Sequence, residues 1–473
     1  MPAPGRDGQA PMSQLDARQY RVRYHARWVL PVTAPPIADG TVVVEGDRIV
    51  YAGPRADAPS GRDEELGDSI LLPGLVNAHT HLDLTVLRGF LEGLPFFLWI
   101  RTLTAARRDV LTYDDCLDSA RLGVLEGLRA GVTTFADTSP SPAPFDAMHE
   151  LHVRGIAYRE VFGPDPAQCG TSMDELRRTI RSMEAYQTAL VRVGVSPHAP
   201  YSVSDDLFAA SAAFARERQL PMATHVAESE EEFDLVAHGE GAFAAFLRGR
   251  GIGVDPRARS PIALLERQGV LAPGTLLIHC VRVDGEDIAR IAASDCGVAH
   301  CPASNAKLGH GVAPLAALRT AGVHVGLGSD SMASNNRMHL LDEGRIAILA
   351  QRIREQRDVL DASSAVELAT LGGARAIGMG GVIGSLEAGK QADLAAFAVP
   401  AALGPVYDPH DALIWSLGGE CATRVVVAGR ELVKDRVHVG GGVDGDVAMR
   451  VTAAAGKLSA WKRARDSAIP AVQ

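Results

Sequence analysis

The sequence predicts an α/β protein, a (β/α)8 TIM barrel with a small β-sandwich domain built from both ends of the chain. Two patterns predict this fold. Eight short apolar runs alternate with longer segments of helical periodicity. Two similar β-hairpin sequences stand near opposite ends of the chain. The 473 residues, of which 47% are hydrophobic, are sufficient to bury the core that such a barrel requires.

The two terminal hairpins are the basis for the smaller domain. Residues 42–50 (VVVEGDRIV) and 425–433 (VVVAGRELV) each place a glycine turn between β-branched arms. We expect them to join in one domain, and two unrelated edge hairpins are the alternative. The expected division is a disordered N-terminus over 1–18, a composite β-sandwich over 19–70 and 380–445, the barrel over 71–379, and a C-terminal helix or tail over 446–473.

The eight apolar runs are expected to be the barrel strands. They span residues 70–81, 132–137, 155–162, 191–198, 221–225, 275–280, 297–301 and 324–330. Segments between them, such as 115–130 and 205–218, show apolar residues at helical spacing. A doubly wound open sheet is the competing architecture, but no GxGxxG motif follows the first run, so the fingerprint of a dinucleotide site is absent.

Composition narrows the class of protein. The chain carries 47 basic and 57 acidic residues, a net charge of −10, which argues against nucleic-acid or membrane-surface binding and favours a small-molecule substrate. The six cysteines form no CxxC pair. The first 18 residues lack the apolar segment of a signal peptide, and no apolar run approaches the ~20 residues of a membrane span. We therefore expect a reduced, cytoplasmic protein.

A metal site is predicted at the strand ends. His79 and His81 close the first run, and side chains two residues apart on a strand point the same way, so one metal ion can bridge both imidazoles. Three further polar residues stand at the ends of later runs, namely His225, His279 and Asp330. Each alone is explained by a buried histidine or a helix cap, but their common register favours a metal. Imidazoles with one carboxylate and an open position for water are typical of a catalytic divalent site.

The distribution of lysine bears on the number of metal ions. The first lysine of the chain is Lys307. Binuclear barrel hydrolases often bridge their metals with a modified lysine at the end of the fourth strand, whereas the fourth run here, VRVGVSPH, ends in His198. A single metal ion is therefore favoured, and a bridging glutamate elsewhere in the chain stays open.

Longer motifs carry a family resemblance. They are LLPGLVNAHTHLDLTVLRG, GVTTFADT, SPHAPYSVS, THVAESEEE, HCPASNAKLGHGVAPLAALRTAGVHVGLGSDSMASNN and GSLEAGKQADLAAF. In these stretches, between about residues 40 and 435, the sequence resembles the amidohydrolase superfamily. The similar branch is that of mononuclear aminohydrolases, which includes S-adenosylhomocysteine/methylthioadenosine deaminases, aminodeoxyfutalosine deaminases, guanine deaminases and triazine hydrolases.

The resemblance implies a role for each matching residue. The implied ligands of one divalent metal ion, zinc being favoured over iron, are His79, His81, His225 and Asp330. Glu228 is the implied proton shuttle, and His279 orients the metal-activated water, whose proton His279 and Asp330 accept. The implied reaction is hydrolytic deamination of an N-heterocycle with release of ammonia.

The residues define the substrate less closely. The expected substrate contacts are His198, Arg88, Trp99, Arg159 and Asn335. His198 matches the family's substrate-contacting histidine, Trp99 suits stacking on a flat heterocycle, and arginines suit a carboxylate. Where adenosylhomocysteine deaminases carry an acidic residue after the first barrel loop, this chain has RTLTAARR.

These features favour a 6-aminopurine nucleoside, with aminodeoxyfutalosine ahead of adenosylhomocysteine or methylthioadenosine, guanine and a chlorotriazine. A catalytically silent barrel that acts as a binding subunit is the alternative from another class. The aromatic residues of the first loop, LPFFLWI, are also compatible with a homodimer.

Overall fold

The computed structural model describes residues 21–440 and 443–468, so the stretch 1–18, expected to be disordered, lies outside the described residues. The strands are β1 (Arg21–Val29), β2 (Ile37–Glu45), β3 (Arg48–Pro54), β4 (Arg62–Glu65), β5 (Ser69–Pro73), β6 (Leu75–Thr80), β7 (Val132–Ser139), β8 (Arg154–Val161), β9 (Val191–Pro197), β10 (Met222–Val226), β11 (Thr275–His279), β12 (Gly297–His300), β13 (His324–Leu327), β14 (Leu394–Ala398), β15 (Arg424–Val427), β16 (Arg430–Lys434) and β17 (Val437–His438). The α-helices are α1 (Phe96–Val110), α2 (Tyr113–Arg129), α3 (Ala143–Glu150), α4 (Cys169–Glu184), α5 (Asp205–Arg218), α6 (Glu230–His238), α7 (Gly241–Gly249), α8 (Pro261–Arg267), α9 (Gly285–Ala293), α10 (Pro302–Lys307), α11 (Leu315–Thr320), α12 (Leu340–Glu355), α13 (Ala362–Glu367), α14 (Gly373–Ala376), α15 (Pro409–Asp411) and α16 (Val443–Ala468).

Strands β6 to β13 form a parallel sheet in sequential order that closes into a barrel. Closure occurs beside the end of β13, where Thr80 and Asp330 form a β-bridge and the amide of Asp330 donates to the carbonyl of His79 at 3.0 Å. Side chains such as Ile156 and Tyr158 fill the interior, so the barrel is a packed core. Each predicted run contributes a strand, and the predicted (β/α)8 barrel is confirmed.

The first apolar run is two strands, and the barrel begins at Leu75 rather than at residue 71. Strand β5 pairs with β1 and β14 of the other sheet, whereas β6 opens the barrel. Gly74 separates the two strands. A Cβ at this position would collide with the Thr133 side chain, and the Gly74 amide donates to the Asp393 carbonyl at 2.8 Å. Both strands are buried throughout, so no exposed polar residue in the sequence marks the boundary.

The second sheet is assembled from both ends of the chain. Its order is β17-β16-β15-β14-β5-β1-β2-β3 with β4 paired to β1, and the predicted hairpins are β2–β3 and β15–β16. The two hairpin turns meet, since Gly429, at a φ of 76°, lies where a Cβ would collide with the carbonyl of Gly46. An apolar cluster that includes Tyr24, Val44 and Leu394 fills the enclosed side. The predicted sandwich-like domain is therefore confirmed.

A buried ion pair joins the barrel to this sheet. Arg154, the first residue of β8, donates from Nε to Oδ2 of Asp393 at 2.7 Å and from Nη2 to Oδ1 at 3.0 Å. Asp393 also accepts the amide of Ala428 at 2.8 Å. The two charged side chains are 4% and 1% exposed. The pair therefore holds the N-terminal end of the barrel, opposite the end at which chemistry is expected.

The C-terminal helix α16 packs against the barrel. Its Val447 and Leu458 are buried in the same apolar cluster as Trp99. On a neighbouring face, Arg450 donates to Asp118 at 2.7 Å. The helix therefore has an apolar face that covers the first barrel loop. Within the described ranges, no helix combines the length and the apolar composition needed to cross a membrane.

Candidate metal centre and active site

Five polar side chains meet at the C-terminal ends of the barrel strands: His79, His81, His225, His279 and Asp330. The ring centroid of His79 lies 4.8 Å from that of His81 and 4.9 Å from that of His225. The Nε2 atoms of His81 and His225 are 3.2 Å apart. Oδ1 of Asp330 lies 3.2 Å from Nε2 of His79 and 3.6 Å from Nε2 of His81. The structure thus brings together the residues that the strand register selected.

The donor set fits a divalent metal ion. Burial lowers the pKa of His79 to about 4 and the pKa of His225 well below its usual value, so both imidazoles are neutral near pH 7 and offer lone pairs. His79 is fully buried, yet neither of its ring nitrogens has a hydrogen bond of good geometry. A buried polar group without such a partner is expected to bind something else. Three imidazole nitrogens and one carboxylate oxygen suit zinc or iron.

Asp330 is held in a strained backbone conformation. Its φ is 57°, in a region that costs a non-glycine residue about 1–3 kcal/mol. Oδ2 accepts hydrogen bonds from the hydroxyls of Ser304 at 2.5 Å and Ser334 at 3.0 Å. These two bonds leave Oδ1 turned towards the histidines, which is the orientation that a metal ligand requires.

Glu228 and His279 form a second pair beside this cluster. Nε2 of His279 lies 3.5 Å from Oε1 of Glu228, and Nδ1 lies 2.9 Å from Oδ1 of Asn305. Because the amide oxygen accepts, Nδ1 carries a proton, and Nε2 faces the cavity. Nε2 of His310, a residue that the sequence did not single out, lies 3.3 Å from the same Glu228 oxygen. Burial acts to raise the pKa of Glu228, but His279 and His310 outweigh it, so the pKa is lowered and the carboxylate is ionised near pH 7.

A cavity of about 950 Å³ opens onto these groups. Two of the expected substrate contacts, His198 and Trp99, lie in its wall. Nδ1 of His198 is 2.7 Å from the hydroxyl of Ser202, and burial lowers the pKa of His198 to about 3, so the ring is neutral. Trp99 packs against Phe96 with the ring centroids 6.3 Å apart. The cavity therefore has a polar floor and an aromatic wall.

Arg159, expected to contact the substrate, does not line the cavity. Along β8 the side chains of Ile156 and Tyr158 fill the barrel interior, and Glu160 continues that alternation into the cavity. Arg159 therefore lies on the outer face, where its Nη2 is 3.4 Å from Glu175 of α4.

Arg88 and Asn335, also expected to contact the substrate, lie outside the cavity wall as well. Arg88 forms an ion pair with Glu126 of α2 on the protein surface. The Asn335 amide donates to the carbonyl of Ser329 at 2.8 Å and to Glu343 at 2.6 Å. Asn335 thus supports the loop after β13 rather than contacting a ligand.

Glu160 is a candidate site residue that the sequence reasoning missed. It lines the cavity, is 5% exposed, and its Oε1 has no hydrogen-bond partner in the described structure. Burial raises its pKa to about 7. Its carboxylate lies within 4.8 Å of ligand atoms of His81 and His225, so it is a candidate for the bridging glutamate that the sequence left open. The strand period of two, counted along residues 155–162, is the signal that would have found it.

Comparison with known proteins identifies related chains. A 5-methylthioadenosine/S-adenosylhomocysteine deaminase of Symbiobacterium thermophilum is 36% identical over 376 residues, which are 77% of this chain and 82% of the relative. A 5'-deoxyadenosine deaminase of Methanothermobacter thermautotrophicus is 32% identical over 416 residues, 85% and 93% of the two chains. The solved structure of an adenosine deaminase from Xanthomonas campestris with bound zinc has a TM-score of 0.83 and 27% identity, and the match covers 93% of this chain and 98% of that one.

A sequence model described as the amidohydrolase family matches residues 70–445, from the strand before the barrel to the start of the C-terminal helix. The match includes the whole barrel and therefore every residue of the candidate metal cluster. Together with relatives above 30% identity over most of both chains, it shows that this chain belongs to the amidohydrolase family.

Proposed function

We propose that the protein is a metal-dependent hydrolytic deaminase of a 6-aminopurine nucleoside. The observation that carries the proposal is the convergence of three imidazoles and one carboxylate beside the Glu228–His279 pair, at the floor of a cavity of about 950 Å³. The deaminase names of the relatives at 36% and 32% identity support the same reaction class.

The proposed ligands of one divalent metal ion are His79, His81, His225 and Asp330. Bound there, the ion would supply Lewis acidity that lowers the pKa of water from 15.7 towards about 7. Zinc is favoured over iron, since the similar adenosine deaminase structure is described with bound zinc.

The remaining chemistry belongs to the chain's own residues. Glu228 is ionised before reaction, so it is placed to accept a proton from the attacking water and deliver it to the ring nitrogen next to the amino-bearing carbon. Nε2 of His279, whose Nδ1 is bonded to Asn305, is placed to accept a hydrogen bond from that water and to aim its oxygen at the carbon. Asp330 then accepts the second proton and passes it to the amino group. The carbon–nitrogen bond breaks, and ammonia leaves while a carbonyl forms.

The glutamine variant Glu228→Gln tests this assignment. It keeps the shape of the side chain but cannot carry the proton, so kcat is expected to fall by at least about 100-fold while the bound metal content stays unchanged. Glu230→Gln is the matched control, because Glu230 lies two residues away, is exposed and pairs with Arg282 at 3.1 Å. Near-normal turnover by Glu228→Gln would remove Glu228 from this role.

The substrate is tested by incubating the zinc-loaded protein with adenine nucleosides, guanine and a chlorotriazine, and following ammonia or chloride release. We expect turnover of the adenine nucleosides, with aminodeoxyfutalosine ahead of methylthioadenosine and adenosylhomocysteine. Turnover of guanine or of the chlorotriazine alone would refute the proposal. A metal-loaded protein that turns over none of them would identify the catalytically silent alternative.

A further inference from the structure

The cavity that contains the metal cluster has opposite charges at its two ends. Its acidic lining residues lie at the floor and are at most 5% exposed, and they are Asp83, Glu160, Glu228 and Asp330. Its basic lining residues are arginines: Arg107 is bound to Asp83 at the floor, whereas the exposed ones are Arg101, Arg108, Arg250 and Arg465. Among the lining residues, no carboxylate accompanies the exposed arginines at the mouth. A molecule that fills the whole cavity therefore meets positive charge at the end away from the metal.

Three of these arginines already interact with carboxylates of the protein. Arg107 donates to Asp83 at 2.6 Å, and Arg108 donates to Asp109 at 2.8 Å. Arg465, on α16, also interacts electrostatically with Asp109. None of the three is free to balance the charge of a ligand without losing an internal partner.

Arg101 and Arg250 differ from them. Among the carboxylates whose side chains the structure describes, none lies within 4 Å of either guanidinium. Both guanidiniums lie over the ring of Phe246, at 5.0 Å and 5.7 Å from its centroid, and Arg101 also lies 5.6 Å from the centroid of Phe97. All four side chains line the cavity.

This arrangement concentrates positive charge. Two guanidiniums that share one aromatic ring repel each other, and the ring faces compensate only in part. The same stacking restrains the two side chains, so less side-chain entropy is lost when an anion binds to them. An oxyanion at this end of the cavity would receive charge-assisted hydrogen bonds from the planar guanidiniums.

We propose that Arg101 and Arg250, stacked on Phe246, form a binding subsite for an oxyanion, a carboxylate or a phosphate, carried on the part of the substrate farthest from the metal. The subsite rests on the proposed function, because it assumes that the heterocycle is bound at the floor. A 6-aminopurine nucleoside would then extend through its 5' substituent towards the mouth, and the preferred substrates are nucleosides with an anionic 5' extension.

The test uses two matched pairs of probes with the zinc-loaded protein. In the first pair, 5'-deoxy-5'-(3-carboxyphenylthio)adenosine is compared with its phenylthio analogue, which lacks only the carboxylate. In the second, adenosine 5'-monophosphate is compared with adenosine. We expect kcat/KM to be at least about tenfold higher for one anionic member than for its partner, mainly through KM, because charge-assisted hydrogen bonds are the stronger kind. The pair that shows the preference distinguishes a carboxylate from a phosphate.

The variants Arg101→Gln and Arg250→Gln should each reduce this preference, and the double variant should abolish it, while turnover of the uncharged members changes less than about twofold. Arg181→Gln is the control, since Arg181 is exposed on α4 and does not line the cavity. The preference should also decline as salt is raised from about 0.05 to 0.5 M, because exposed charges are screened. Turnover of uncharged nucleosides without any anionic preference, or a preference retained in the double variant, would overturn the subsite and leave the deaminase standing.

Failure of the proposed function gives a different result. If no nucleoside is turned over, calorimetric binding of the two probe pairs to the natural chain and to the double variant still tests the arginines. Tighter binding of an anionic member that is lost in the double variant would support the subsite without catalysis, and equal binding of both members of each pair would overturn it.

Discussion

Replacing Arg154 with methionine removes the positive half of the buried ion pair between the barrel and the terminal sheet. The change breaks hydrogen bonds of 2.7 and 3.0 Å and leaves the Asp393 carboxylate, 1% exposed, with the amide of Ala428 as a donor. An uncompensated buried charge of this kind costs about 3–5 kcal/mol. The double variant Arg154→Met/Asp393→Leu removes both charges, so we expect a loss of about 1–3 kcal/mol, chiefly from the Ala428 amide that loses its acceptor.

The assay is urea unfolding of the metal-loaded protein, followed by tryptophan fluorescence. The free energies of unfolding are compared through the midpoint and slope of the first transition. Arg27→Met is the matched control, because Arg27 pairs with Asp68 at 3.0 Å on the surface and such pairs contribute about 0–1 kcal/mol. Two results would refute the reasoning. One is a decrease of less than about 1 kcal/mol in the free energy of unfolding of Arg154→Met at unchanged slope. The other is a decrease in the double variant equal to the sum of the decreases in the two single variants.

Three further predictions concern the site and its support. Chelation should abolish turnover and lower the melting temperature, and added zinc should restore both. We expect one metal ion per chain. A metal content of two ions per chain that falls to one in Glu160→Ala would instead identify Glu160 as a bridging ligand. Asn305→Leu removes the acceptor of His279 Nδ1 at 2.9 Å, so kcat should fall about 10- to 100-fold with metal content unchanged, and unaltered kcat would exclude this orienting bond. Burial raises the pKa of Glu232 to about 8, so the folded protein holds a proton that the unfolded chain releases from about pH 4.5. Stability should therefore fall between about pH 4.5 and 8, by at most about 5 kcal/mol from this group, and urea titrations of Glu232→Gln should show a shallower fall.

The sequence was sufficient to predict the histidines of the candidate metal cluster, because strand geometry determines where they point. His79, His81 and His225 stand at strand ends, where the period of two and the common barrel edge determine which way a side chain points. The same rule separates Arg159 from Glu160. The two residues are adjacent in the sequence, so their side chains point to opposite faces of β8. The prediction of a substrate contact was based on charge, and it selected Arg159, whose side chain lies on the outer face.

Residues on loops and inserted helices could not be placed in that way. The loop after β6 brings Arg88 to Glu126, and the path of this loop does not follow the periodicity of a strand or a helix. His310 reaches Glu228 from the segment after α10, and Arg250 follows α7, a helix additional to the β/α alternation. The backbone path of such segments depends on tertiary packing, so only the structure brings their side chains to the cavity.

The terminal sheet also determines when the protein can finish folding during synthesis. Strand β5 lies between β1 and β14, and Leu394 of β14 follows Pro73 of β5 by 321 residues (394 − 73). At about 5–20 residues per second the ribosome needs roughly 15–65 s to make that stretch. Throughout this time the apolar strand β5 has an unpaired edge, which is the kind of surface that draws chains into aggregates. The nascent barrel can form first, but the ion pair between Arg154 and Asp393 cannot form until Asp393 has been synthesised. The strands that are synthesised last therefore complete the sheet that began to form first.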